Sequence, residues 1–223
     1  MRVESVSIKS VTVAIFIMIG IVAIILSLLA GSYFKQSALA AQVGSLSRVL
    51  EVATQEMQMR LREHTFDIGM KLAHSEKLVQ AFTLSVENGR HDDLVRQLDD
   101  PFITGFAGFS EINLVKLRVY STTLDFISAS SLGVQGIENG LPDHLQALIS
   151  TRDRKDRLKS VDALWLSAQG PLFSSVVPLG GLRPVGYLEV VVDPVFNLPD
   201  IARITGTSVS TYSMSGDLVS SVE

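Results

Sequence analysis

The sequence predicts an α+β chain: one apolar N-terminal helix continuing into a long amphipathic helix, then a five-stranded antiparallel sheet. Three observations predict it. Ser10 to Phe34 runs for 25 residues without a charge. Beyond it, apolar residues recur at spacings of three and four as far as Phe82. From Ile112 onward the character changes to short β-type runs, and turn residues punctuate the chain.

The charge-free run is the first element. At about 1.5 Å per residue it exceeds the ~30 Å hydrocarbon core of a bilayer, so a transmembrane helix over 10–34 is expected. Arg2 and Lys9 precede it, Tyr33 and Phe34 stand where an interfacial aromatic belt would, and Lys35 follows. The basic leader, residues 1–9, favours a cytoplasmic N-terminus and places residues after 34 outside the inner (plasma) membrane. Ala38-Leu39-Ala40 has the small-x-small look of a signal cleavage site. The apolar run is too long for a signal peptide and ends well before that site, so an uncleaved anchor is the expectation.

Residues 35–100 come next. Val43, Leu46, Leu50, Ala53, Met57, Leu61, His64, Ile68 and Leu72 form one stripe, with charged and polar residues between them. The predicted long helix ends near Glu87-Asn88-Gly89, where glycine supplies a cap. About three heptads read cleanly, which allows a homodimer through this helix. A short helix from Asp92 to Leu98 is expected to end at Pro101.

The module at 101–193 carries the sheet. Ile112–Tyr120 and Asp125–Ser130 read as a hairpin, followed by a loop at Gly133–Pro142 and a short helix at His144–Ser150. Ala163–Ser167, Leu172–Pro178 and Pro184–Val192 are three more strands, with turns at Gln169-Gly170-Pro171 and Gly180-Gly181. Within 194–223, Pro194–Ile204 reads as a helix, and Thr207–Ser213 with Leu218–Val222 as a hairpin. A lone hairpin is marginal in water, so a second module begins here and the chain reads as the start of a longer protein.

Composition narrows the function. The 223 residues suit one anchor plus roughly one domain. A net charge of −4 gives no reason to expect nucleic acid as a partner. The count of zero cysteines excludes disulfides, thiolate metal sites and cysteine nucleophiles. No phosphate-binding loop, dinucleotide fingerprint, zinc-protease motif or nucleophile elbow occurs, and His64, His74, His91 and His144 lack metal-ligand spacing. Neither a cofactor nor a catalytic or metal-binding residue is expected. The run Arg152 to Lys159 is rich in charge and reads as a solvated connector.

Binding residues are sought on the sheet. Alternation puts Arg118 and Tyr120 on one face of their strand, and Tyr187, Glu189 and Val191 on one face of theirs, with Trp165 central in its own. Aromatic walls with a few polar groups suit a small organic ligand. Arg118 would hold a carboxylate by a bidentate contact, and Glu189 or Asp193 an amine. Structural alternatives stay open: Trp165 and Tyr187 as core, Arg118 as an edge residue, Asp193 as a helix cap ahead of Pro194.

The order of elements from Lys35 to Glu223 resembles the extracytoplasmic Cache (PAS-like) sensor domains of bacterial transmembrane receptors. The residues that carry the resemblance are Leu117–Tyr120 with Phe126–Ser130, Ala163–Ser167, Gly186–Pro194, and the restart at Ser213–Val219. It implies a small-molecule sensor whose second membrane helix and output module lie outside this sequence. That module would be a chemotaxis, kinase, cyclase or phosphodiesterase unit. The Tyr-rich Arg-x-Trp-Tyr pattern of amino-acid-sensing members is absent, which speaks against an amino-acid ligand. The competing reading is a bitopic assembly protein that pairs through its helix.

Overall fold

The computed structural model describes residues 8–105, 112–153, 156–168, 170–196, 198–206, 208–212 and 215–222. The first helix, α1 (Ile8–Ala73), belongs to two compact units, Met1–Glu51 and Val52–Glu223. Each unit is described by itself. In the first, the side chains from Ile15 to Leu29 are exposed, and one helix is long and apolar enough to cross a membrane.

The second unit is the predicted α+β domain. Behind the last part of α1 come α2 (Glu76–Asn88) and α3 (Asp92–Thr104), then β1 (Asn113–Tyr120) and β2 (Phe126–Ala129). After α4 (Asp143–Ser150) follow β3 (Val161–Ser167), β4 (Gly170–Leu179) and β5 (Gly186–Asp193). All five strands pair antiparallel, as the sequence predicts, and their order is β2-β1-β5-β4-β3. Then come α5 (Leu198–Thr205) and a separate two-stranded sheet, β6 (Val209–Tyr212) with β7 (Leu218–Val222).

Helices cover one face of the sheet. Leu61, Ile68 and Leu72 of α1, Leu78 and Phe82 of α2, and Leu94 and Leu98 of α3 form one core with Leu117, Val119, Val177, Leu188 and Val190. Gly69 lets α1 come close: a Cβ there would lie 3.2 Å from the Val177 methyls. The other face is roofed by the segment 131–142 and by α4, whose Leu145 and Ile149 pack with Tyr120, Val161 and Val176.

Three helix boundaries differ from expectation. The long helix breaks at His74-Ser75 instead of running to Asn88. There the Ala73 carbonyl accepts the Gly180 amide at 3.2 Å, so a β-turn takes the place of the next helical amide. Gly89, left-handed at φ 67°, does cap the second piece. Pro101 does not end α3 but lies within it, buried, because the loss of one bond in the last turn is offset by burial of its ring. Pro194 does not open α5. The Asp193 carboxylate accepts the Val195 amide at 2.8 Å and holds a turn there, and the helix starts at Leu198.

Candidate ligand-binding site

Pairing of β1 with β5 sets Arg118 opposite Glu189 and Tyr120 opposite Tyr187, on the face roofed by segment 131–142. Arg118 and Glu189 are fully buried, with exposures of 1% and 0%. Their contact is bidentate: Nε donates to Glu189 Oε2 at 2.7 Å and Nη2 to Oε1 at 2.8 Å. The Tyr120 hydroxyl donates to Oε2 as well, at 2.8 Å. Arg118 Nη1 donates to the carbonyls of Glu138 and of Gly140, the latter at 3.1 Å. One guanidinium therefore ties the roof to the sheet.

Trp165 comes from edge strand β3 and lies against this network, with Arg118 Cζ 5.6 Å from its ring centroid. Its indole N–H donates to Ser174 Oγ at 2.8 Å. Of the six residues the sequence puts forward, Arg118, Tyr120, Trp165 and Glu189 thus come together. Tyr187 flanks them beside Tyr120, half-buried, in the cluster under α4. Asp193 shares their face but stands four residues beyond Glu189 on β5, about 13 Å along the strand. It accepts from Asn113 Nδ2 at 3.4 Å.

Two members of the network have displaced proton affinities. Burial opposes the charge on Arg118, yet the Glu189 carboxylate outweighs it and holds the guanidinium above its ordinary value. Burial pushes the Tyr120 phenol far above the tyrosine range, and the Glu189 charge adds to that.

Sequence reasoning missed a second group beside these. Lys116, on the same strand face, is buried and donates to the Leu132 carbonyl at 3.3 Å. Burial lowers its pKa, the Asp99 charge works against that, and the Arg118 charge adds to it. Asp99 of α3 fastens the start of the roof, accepting from the Ser131 hydroxyl and, at 2.9 Å, from the Leu132 amide. The alternation that selects Arg118 and Tyr120 selects Lys116 too. Nothing local marks Asp99 or the carbonyls of Glu138 and Gly140.

No family model and no curated protein matches this chain. Among solved structures, it is similar to the ligand-binding domain of the Campylobacter jejuni chemoreceptor Tlp3, in complex with 4-methylisoleucine. The identity is 12% and the TM-score 0.42, over 78% of this chain and 66% of that one. It is also similar to the ligand-binding domain of the Pseudomonas aeruginosa PAO1 amino-acid chemoreceptor PctC, in complex with GABA. There the identity is 12% and the TM-score 0.36, over 69% of this chain and 71% of that one.

Proposed function

We propose that this chain is the sensory part of a membrane-anchored receptor, which binds a small organic molecule on the sheet face beneath segment 131–142. The observation that carries the reading is the buried Arg118–Glu189–Tyr120 network with Trp165 against it. A buried ion pair seldom stabilises a fold more than apolar residues of the same size would, so stability alone gives little reason for it. Convergent polar groups beside aromatic walls, under a loop, are the ordinary make-up of a small-molecule site.

The network also constrains the ligand. Glu189 already occupies the fork of Arg118, so a ligand must exchange with it, its anionic group taking Arg118 or its amine taking Glu189. Exchange at Arg118 also bears on the two carbonyls that hold the roof. Occupancy and roof position are therefore linked, and a ligand shifts the roof by its differential affinity for the two arrangements. The apolar helix supports the anchor, with the N-terminus cytoplasmic and the sensor outside. Signalling would need an output module, outside this sequence.

Thermal-shift screening of the full chain in lipid nanodiscs against a broad metabolite library tests the reading. At least one compound class should raise the melting temperature in a concentration-dependent way, and Arg118→Met should abolish that rise. A library without a single saturable stabiliser would count decisively against it.

One observation favours the second reading, a bitopic protein that pairs through its helix. Leu39, Val43, Leu46 and Val49 of α1 are all exposed and lie within the first unit. A strictly monomeric full chain in detergent, measured by analytical ultracentrifugation, would remove it.

A further inference from the structure

Asp193 does not share the site built around Arg118. It opens instead into a separate cleft of about 350 Å³ at the far end of the same sheet face, within the range of small-ligand sites. Val115 and Leu172 lie at its base, in the small core they form with Val191. A register shift in β1 between Leu114 and Lys116 accompanies Val115's place there. Val134, Pro171 and Val195 supply further apolar wall. Asn113 and Asp193 bring an amide and a carboxylate, and Ser220 of β7 brings a hydroxyl.

The charge in this cleft is one-sided. The described lining holds one carboxylate and no Lys, Arg or His. Asp193 spends Oδ1 on the Val195 amide, while Oδ2 receives, among the described residues, only the long 3.4 Å contact from Asn113. An ionised carboxylate has about four acceptor sites, so most of Oδ2 remains available toward the cleft. The complement is a compact cation that carries its own donors and an apolar body.

We infer that this cleft is a second binding site, for a small organic ammonium with a short branched aliphatic body. The ammonium donates to Asp193 Oδ2, to the Asn113 side-chain carbonyl and to the Ser220 hydroxyl, and the aliphatic part covers Val115, Pro171 and Leu172. Ser220 belongs to the two-stranded sheet, whereas the other two belong to the five-stranded one. The ligand therefore joins two sheets that share no strand pairing.

Ligand-observed saturation-transfer NMR and calorimetry on the full chain in nanodiscs test this, with isobutylammonium as the probe. Isobutanol and isobutyrate serve as neutral and anionic counterparts. Saturable binding of isobutylammonium alone is expected. Asp193→Asn keeps the shape and the oxygen that holds the Val195 amide but removes the charge, and should weaken binding roughly tenfold or more. Val134→Trp should fill the cleft and abolish binding with Asp193 intact, so the test stands even if Asp193→Asn fails to fold. Absence of saturable binding, an affinity unchanged in both variants, or equal binding of the neutral or anionic counterpart would each overturn the site.

Discussion

Glu189, fully buried, accepts three hydrogen bonds from two side chains, those of Arg118 and Tyr120. Replacing it with glutamine leaves the Arg118 charge buried without its counter-ion. Glu189→Gln should therefore cost about 3–5 kcal/mol of stability, read by chemical denaturation of the full chain in detergent. The double variant Arg118→Met, Glu189→Leu should cost much less than the sum of its single changes, because the second change removes the orphaned charge. Tyr120 adds a pH signature. A phenol with a raised pKa keeps its proton in the native state after the unfolded chain begins to lose its own. Above the ordinary value of 10.0, alkali thus favours the unfolded state, and stability falls as pH rises, by up to ~1.4 kcal/mol per pH unit. Lys116, whose pKa is lowered, works in the opposite direction below its ordinary 10.5. Comparing wild type with Tyr120→Phe isolates the phenol: the variant should show the shallower alkaline decline in thermal stability. Equal slopes would mean that Tyr120 ionises as freely in the fold as in the unfolded chain.

Among the elements, segment 131–142 is held over the sheet face by tethers from Asp99, Lys116 and Arg118. Gly133 sits at φ 88°, and a Cβ there would collide with the Val115 carbonyl, which already accepts the Val134 amide at 3.0 Å. Gly133→Ala should destabilise the protein by about 2–4 kcal/mol through strain and overlap together. Gly140→Ala, in the same segment, has open space around it and should be neutral within about 0.5 kcal/mol in the same thermal melts. The strands beneath this segment were legible as β-type runs bounded by turn residues, and the alternation of side chains along a strand let faces be assigned one strand at a time. The pairing of β1 with β2 was legible as a hairpin, but that of β1 with β5 was not. Arg118 and Glu189 are 71 residues apart, and only the β1–β5 register makes them partners. The same register explains why Asp193, put forward beside Glu189 as a partner for an amine, ends up beside Asn113 in another cleft. The break in the long helix was hidden for a related reason, since the group that takes the Ala73 carbonyl comes from the distant turn at Gly180. Local pattern fixes faces and periods, whereas partners separated by most of a domain are fixed only by the fold.

At the scale of the whole molecule, the anchored reading rests on 25 uncharged residues, and the absence of cysteine makes it unusually direct to test. A helix over those residues satisfies its own backbone, which is the condition for lying in hydrocarbon. On the anchored reading, Arg2 and Lys9 before the span favour a cytoplasmic N-terminus, against Lys35 and Arg48 on the other side. Each introduced cysteine is the only thiol in the chain, so labelling reports one position without background. Glu87, exposed on α2, and Ser5, in the leader, bracket the anchor. In intact cells a membrane-impermeant maleimide should label Glu87→Cys and leave Ser5→Cys unmodified until the membrane is opened. A charge placed mid-span, as in Ile21→Arg, costs about 2.5–3.5 kcal/mol of insertion and should move part of the protein out of the membrane fraction. Labelling of Ser5→Cys in intact cells with Glu87→Cys protected would invert the topology, and the sensor would then face the cytosol. Wild-type protein washed free of membranes by carbonate would remove the anchor altogether.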